Sequence, residues 1–306
     1  MNIKYLLNCF SEEMTMKKWN IGFTENNLDL FFSSKKTKIS YLKHDYKNKW
    51  FADPFILDVT EKEIILLVEE YDNNIKKGRI ARLVVNRDNL KLISMKIVLD
   101  LKSHLSFPAI YKENSSIYIC PENSQSGQYI KYTYDDKTQT LINPQLIINE
   151  PLTDAIKYFI NGVPYIFSTK QPSPNGNKLF VYTYGNNKSK FKLKQEILLD
   201  DNTARGAGHF IQLNEKIIRP AQDCNNSYGA GLVFQEIKQV KENEEFKIKE
   251  LKRIYSKSIR YGQGMHTFNT FGDIAVIDVL GYKYIILGRI YSCLRIFVKY
   301  FCQLLK

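Results

Sequence analysis

Five segments of this 306-residue chain share one shape, and that repetition constrains the fold more tightly than any compositional figure. Each opens with an acid, a histidine or a proline, runs through an apolar stretch, turns, and continues through a second apolar stretch. They read "FADPFILDVTEKEIILLVEEY", "LSFPAIYKENSSIYICPEN", "LTDAIKYFINGVPYIFSTK", "AGHFIQLNEKIIRPAQDC" and "MHTFNTFGDIAVIDVL". Aligned on Asp53, Phe107, Asp154, Gly208 and His266, they recur at spacings of 54, 47, 54 and 58 residues. Turn signals fall mid-unit, such as Glu113-Asn114-Ser115 and Asn161-Gly162, the latter a strong hairpin dipeptide. Between the units lie further runs rich in β-branched and aromatic residues, including "GRIARLVVNRD" and "KLFVYTYGNN", each closed by polar turn residues.

Roughly four strands per unit, five units and no long helical pattern before residue 280 predict an all-β, five-bladed β-propeller over 45–280. Residues 1–44 form an N-terminal segment that partly closes the ring, and 281–306 a C-terminal amphipathic helix. A β-sandwich with accidental internal similarity is the competing reading. Polar residues recurring at one register favour the propeller.

That register carries the chemistry. The innermost strand of each blade lines the central channel, and its first residues reach the mouth. Asp53, Asp154 and His266 then converge, with His209 one place past the Gly208 position. A single aspartate at a strand start is an ordinary turn-former, but several in register point to a site. The second strands end in polar groups too: Glu69, Glu122, Ser168, Gln222 and Asp278, at offsets of 12 to 16 residues. A charge beside a core needs a partner or a ligand. Arg205, Arg219 and Tyr228 are available partners, Arg219 reading as a structural ion pair beside Gln222 and Asp223.

Net charge is +12, mostly lysine, which suits an anionic partner: a membrane surface, a phosphorylated sugar or nucleic acid. Gene base composition would explain the lysines equally well. Nucleic acid is disfavoured, since the basic residues are dispersed and no recognition motif is present. Neither GxGxxG nor a P-loop occurs. Five scattered cysteines, Cys9, Cys120, Cys224, Cys293 and Cys302, make neither a disulfide framework nor a zinc cluster. The N-terminus is a poor secretory signal, and no apolar run approaches the roughly 18 residues of a spanning helix. A cytoplasmic monomer is expected.

"WFADPF" opening a first blade resembles the five-bladed glycosidases of the arabinanase, xylosidase and invertase type. With "FPAIY", "IYICPEN", "TDA", "RPAQDCNNSYGAGL" and "HTFN", the chain more closely resembles propeller domains from surface-polysaccharide loci and from the N-terminus of plant glucosamine inositolphosphorylceramide transferases. The glycosidase likeness implies Asp53 as general base or nucleophile and Asp154 as the modulator of the acid. His266 resembles a channel histidine kept near a central water or ion; no cofactor is expected, a channel cation beside His266 being the one alternative left open. Two positions depart from the pattern. Gly208-His209 stands where a catalytic glutamate belongs, and Phe107 where the sucrose-type enzymes keep a second aspartate.

Glycoside cleavage normally needs two carboxyls, about 5–10 Å apart depending on stereochemistry, one of them kept protonated. Glu122, carried out of an apolar strand by "ICPEN", is the expected acid, with Asp223 next; a hydroxyl-binding or blade-closing role for Glu122 stays open. Trp50, Phe107 and Tyr228 are expected to stack on sugar, with Arg205, His209, Gln222, Asp223 and His266 completing the substrate site.

Residues 281–306 contain five basic residues and no acid. On a helical wheel Ile286, Ile290, Leu294, Phe297, Phe301, Leu304 and Leu305 share one face, with Arg295, Lys299 and Lys306 nearly opposite and Arg289 at a flank. That pattern fits a helix lying on an anionic membrane, or a terminal helix packed on the propeller. The expected role is cleavage or transfer of a glycosyl unit on a glycan or lipid-linked sugar in bacterial surface-polysaccharide assembly, at the inner face of the cytoplasmic membrane. The alternative is a glycan-binding or scaffold module there.

Overall fold

Five four-stranded antiparallel sheets are arranged as the blades of a propeller. The computed structural model describes residues 10–27, 38–185, 190–240 and 245–304, with side chains as far as 294. Cys9 and the wheel positions from Arg295 onward, through Leu305 and Lys306, therefore lie outside the described residues or side chains. The innermost strands are β3 (Lys49–Val59), β7 (Ser106–Glu113), β11 (Leu152–Ile160), β15 (Ile211–Leu213) and β19 (Phe268–Phe271). Each pairs with the strand after it: β4 (Glu63–Asp72), β8 (Ser116–Glu122), β12 (Val163–Lys170), β16 (Lys216–Asp223) and β20 (Ile274–Tyr282).

The outer half of the fifth blade comes from the other end of the chain. β1 (Lys17–Glu25) pairs along the whole of β20, from Lys17 opposite Tyr282 to Glu25 opposite Ile274, and β2 (Ser40–Tyr41) follows it. The fourth sheet already ends at Ile254, so only two strands remain to build the fifth. Closing the ring this way pairs the edge β20 would otherwise expose.

Burial falls from the axis outward. "EIILLVEEYD" in β4 is largely buried, because blades press on both its faces, whereas the outermost "FKLKQEIL" of the third blade is mostly exposed or half-buried. The apolar core consists of seams between blades. One holds Ile21, Phe51 and Leu66 between the fifth and first blades, and another holds Phe234, Phe268 and Ile277 between the fourth and fifth. The hairpin turns behave as their residues dictate: Asn114, Asn161 and Gly162 take left-handed backbones at φ 54°, 51° and 78°.

The polar register has a backbone cause. Asp53, Phe107 and Asp154 sit at φ 50°, 44° and 48°. Pairing with the neighbouring strand slips at each of them, between Ala52 and Phe55, Ser106 and Ala109, and Thr153 and Ile156. These are bulges, which free one residue from the ladder and re-aim it. Aspartate tolerates the left-handed region, but for phenylalanine it is a strained conformation that surrounding structure must impose. Phe107 is held there by its own N–H, which donates to Asp53 Oδ2 at 3.1 Å.

After β20 the chain enters a helix, α1 (Ile285–Leu304). It lies on the fifth blade, with Gly288 against the ring of Tyr282 and the Tyr282 hydroxyl 2.7 Å from Ser292 Oγ. No helix among the described residues is long and apolar enough to cross a membrane.

Candidate functional site at the channel mouth

Second strands end at the face where inner strands begin, so antiparallel pairing alone gathers both sets of polar residues at one mouth. At its centre lies a buried cluster contributed by the first and fifth blades. Asp278, on β20, accepts the backbone N–H groups of His266 (2.8 Å), Thr267 (3.0 Å) and Asp53 (3.0 Å). The same carboxylate sits 2.6 Å from His266 Nδ1. His266 Nε2 then faces Asp53 Oδ1 at 3.6 Å, and that oxygen accepts the Thr267 hydroxyl at 2.7 Å. All three side chains are essentially inaccessible.

The electrostatics follow from burial first and partners second. Burial pushes the Asp53 carboxyl up to about 7, against the opposing charge of His266. For His266 burial acts downward, yet Asp278 and Asp53 lift the imidazole to about 9. Burial would raise Asp278 as well, but the imidazolium and the converging N–H groups hold it below the usual carboxylate range. The result is an ionised carboxylate, a protonated histidine and a second carboxyl that exchanges its proton near neutral pH.

Both raised groups bind protons more tightly folded than unfolded. Stability from His266 is therefore complete below its unfolded value near 6.5 and is lost as pH climbs through about 9. Asp53 adds a loss that runs from its unfolded value up to about 7. Melting temperature is expected to fall steadily between about pH 6.5 and 9, by the equivalent of about 3 kcal/mol from His266. His266→Gln should flatten that decline; an unchanged slope in scanning calorimetry would refute the assignment.

A second group stands across the mouth. Arg205 grips Asp154 in a fork, Nε to Oδ2 at 2.7 Å and Nη2 to Oδ1 at 3.4 Å, and reaches Asn175 Oδ1 at 2.8 Å. Gln222 Nε2 donates to the same Asp154 oxygen at 2.7 Å. The Arg205 guanidinium also lies over the Tyr228 ring, 4.8 Å from its centroid, and Tyr228 meets His266 edge-on at 5.1 Å. Tyr228 keeps 41% of its surface exposed, so it forms the rim while the acids lie beneath it. Glu122, from the second blade, accepts from Ser124 N at 2.9 Å and Ser106 Oγ at 3.1 Å.

Several expected substrate contacts lie elsewhere. Phe107 is fully buried, edge-on to Phe55 at 4.9 Å, and so presents no face to a sugar. His209 points into that same apolar layer, between Phe55 and Tyr111, where burial drives its imidazole down to about 4. Asp223 is drawn outward to Arg253 and the Tyr255 hydroxyl. Trp50 stacks flat on Tyr71 at 4.5 Å and lines a groove between the fifth and first blades. Arg219 makes no ion pair with Asp223: it is buried among Gln235 Oε1 and the carbonyls of Thr203 and Ala204, the residues just before Arg205.

Other participants take roles that the sequence does not assign. Asp278 was a readable signal, a charge inside "IAVIDVL", but its role as the hub was not apparent. Trp19 stacks on His266 at 4.1 Å from the N-terminal strand, which nothing in the local sequence suggests. Glu69 faces His104 Nε2 at 3.2 Å. Burial raises its carboxyl despite that partner, with the Glu122 charge adding to the rise.

Among the described residues, Asp53, His266 and Asp278 are the group with metal-ligand spacing, their donor atoms within 4.8 Å of one another. Their fit to a cation is poor. Asp278 is saturated by N–H donors, and Asp53 already accepts from Thr267 and Phe107. This donor set suits a shared proton.

Residues 36–270 match the family described as glucosamine inositolphosphorylceramide transferase 1, N-terminal. The chain is 24% identical over 210 residues to glucosamine inositolphosphorylceramide transferase 1 of Oryza sativa subsp. japonica, and 22% identical over 215 residues to that of Arabidopsis thaliana. The matches cover 65% and 68% of this chain but only 28% of each relative. Among solved structures it is similar to the beta-xylosidase RS223, with 11% identity and a TM-score of 0.49 over 71% of this chain and 80% of that one. A GH43_1 enzyme from Xanthomonas citri, solved with xylose, gives 10% identity and a TM-score of 0.49 over 76% and 86%.

Proposed function

Because the chain belongs to the glucosamine inositolphosphorylceramide transferase 1 N-terminal family, we propose that it is a carbohydrate-active propeller that cleaves or transfers a glycosyl unit at its channel mouth. The observation that carries this reading is Asp53, a carboxyl poised near neutral pH and backed by a protonated His266. A general base works best when its proton affinity matches the working pH, and Asp53 meets that condition. On losing its proton, Asp53 is stabilised by the imidazolium 3.6 Å away. Arg205 and Gln222 hold Asp154 where it can accept sugar hydroxyls, and Tyr228 offers the exposed ring on which a sugar face can rest.

The acid role expected of Glu122 passes to Glu69. Glu69 suits the role because burial, with the Glu122 charge adding, raises its carboxyl and so keeps a proton to donate. Glu122 is itself tied to Ser106 and Ser124.

Gly208 favours a second reading, sugar recognition without cleavage. A Cβ at that position would stand 2.0 Å from the Phe268 carbonyl oxygen, so the blade-four register has no room for the glutamate a glycosidase would place there. The bacterial surface-polysaccharide setting belongs to the proposal; the matching relatives named above are plant proteins.

The test pairs binding with turnover, using glycosyl inositolphosphoryl lipids and aryl glycosides. Asp53→Asn is expected to lower turnover by about 10³-fold while sugar binding, read by saturation-transfer NMR, changes only a few-fold. Wild-type binding without turnover would select the recognition reading. No binding by the wild type would overturn both.

A further inference from the structure

We propose that the exposed face of α1, with the cationic cluster at its root, docks the propeller onto an anionic lipid bilayer with the channel mouth turned toward the lipid. This inference stands apart from the sugar chemistry and does not require it.

Ile286, Ile290 and Leu294 recur at the four-residue spacing of one helix face, and each is more than half exposed, Ile286 at 73%. Leu287 widens the stripe. Two neighbours extend it: Phe10, edge-on to Tyr291 at 6.4 Å, and Ile259, next to the Ser258 carbonyl that Arg289 reaches. Ile259 is the most exposed large apolar residue described, at 75%. A contiguous apolar surface of this kind marks an interaction site.

The charge beside it decides the partner. Lys18, Arg260 and Lys283 line one groove at the helix root, beside Ile285. Burial and then the Lys283 charge hold the Lys18 ammonium below its ordinary range. Burial, followed by the Lys18 charge, likewise disfavours protonation of His44, and Arg260 adds to this. Glu13 offsets one of these charges through its ion pair with Lys283, and the cluster keeps a net positive charge that an anionic surface complements. An apolar stripe flanked by cations is the surface that an anionic membrane interface accepts.

Orientation follows from topology. β20 runs from its hairpin toward the mouth, and α1 leaves from that end three residues later. Lys17 and Lys18 begin the neighbouring strand at the same level. A bilayer touching α1 therefore faces the mouth that Tyr228 rims.

Flotation of the full chain with vesicles tests this. Vesicles of phosphatidylcholine containing phosphatidylglycerol are expected to carry the protein upward, and those of phosphatidylcholine alone are not. Raising salt should release it. The triple substitution Ile286→Glu, Ile290→Glu, Leu294→Glu should lower vesicle affinity by at least about tenfold while the melting temperature stays put, since all three side chains are exposed. Lys18→Glu with Arg260→Glu should weaken binding and reduce its salt dependence. The proposal fails if the folded wild type does not float, if neutral vesicles bind it equally, or if the triple variant floats unchanged. Dimerisation in sedimentation velocity that the triple variant abolishes, without flotation, would reassign the face to a second copy of the chain.

Discussion

Asp278→Ala is expected to destabilise the propeller by about 3–5 kcal/mol, the cost of stripping a buried ion pair of one partner. Three backbone N–H groups, of Asp53, His266 and Thr267, lose their acceptor at once, and the buried imidazolium of His266 loses its nearest counter-charge. No water can replace the carboxylate cheaply, because the position is fully enclosed. The melting temperature should drop on the order of 10 °C. Asp278→Asn, which keeps the shape and removes the charge, should cost less and should bring His266 down from about 9, a change readable in its ring proton shifts. A loss below about 1 kcal/mol for the alanine variant would mean that the fifth blade is not organised around this residue.

Gly208→Ala carries the other large effect. The glycine sits at φ 145°, and a Cβ there would meet the Phe268 carbonyl oxygen at 2.0 Å and Asn269 Oδ1 at 2.9 Å. Relief would require parting the 207–209 segment from β19, where the Phe268 N–H donates to the Ala207 carbonyl at 2.6 Å and the His209 N–H to Asn269 Oδ1 at 2.9 Å. A cost above about 4 kcal/mol is expected, with a matching loss of soluble yield. Gly127→Ala is the control: it too has a left-handed backbone, at φ 75°, but nothing lies within 4 Å of the added carbon. It should cost only about 1–2 kcal/mol, the conformational penalty alone. Equal destabilisation in urea titrations would show that backbone conformation, and not the collision with blade five, governs Gly208. The result bears on chemistry too, since a side chain that cannot be alanine here cannot be a catalytic glutamate.

The sequence by itself determined the blade count, the alternation of strands and turns, and the register on which the mouth is built. Those properties are local: apolar runs of strand length, turn dipeptides such as Asn161-Gly162, and a polar residue recurring every 47–58 positions. It also named Asp53, Asp154, Arg205, Gln222, Tyr228 and His266, which the fold does gather at one face, because antiparallel pairing forces inner-strand starts and second-strand ends together. Tertiary structure decided what each of them touches. A one-residue bulge sends Asp53 toward the axis, while Phe107, two residues before Ala109 on the next blade, closes against Phe55. His209 turns into the apolar layer, and Asp223 turns outward to Arg253 although the adjacent Gln222 faces the mouth. Trp19 arrives from the opposite end of the chain. Side-chain direction at a bulge, and the proton held between Asp53, His266 and Asp278, depend on contacts more than 200 residues apart in sequence for the Asp53 pairs. No periodicity encodes such contacts; only closure of the ring creates them.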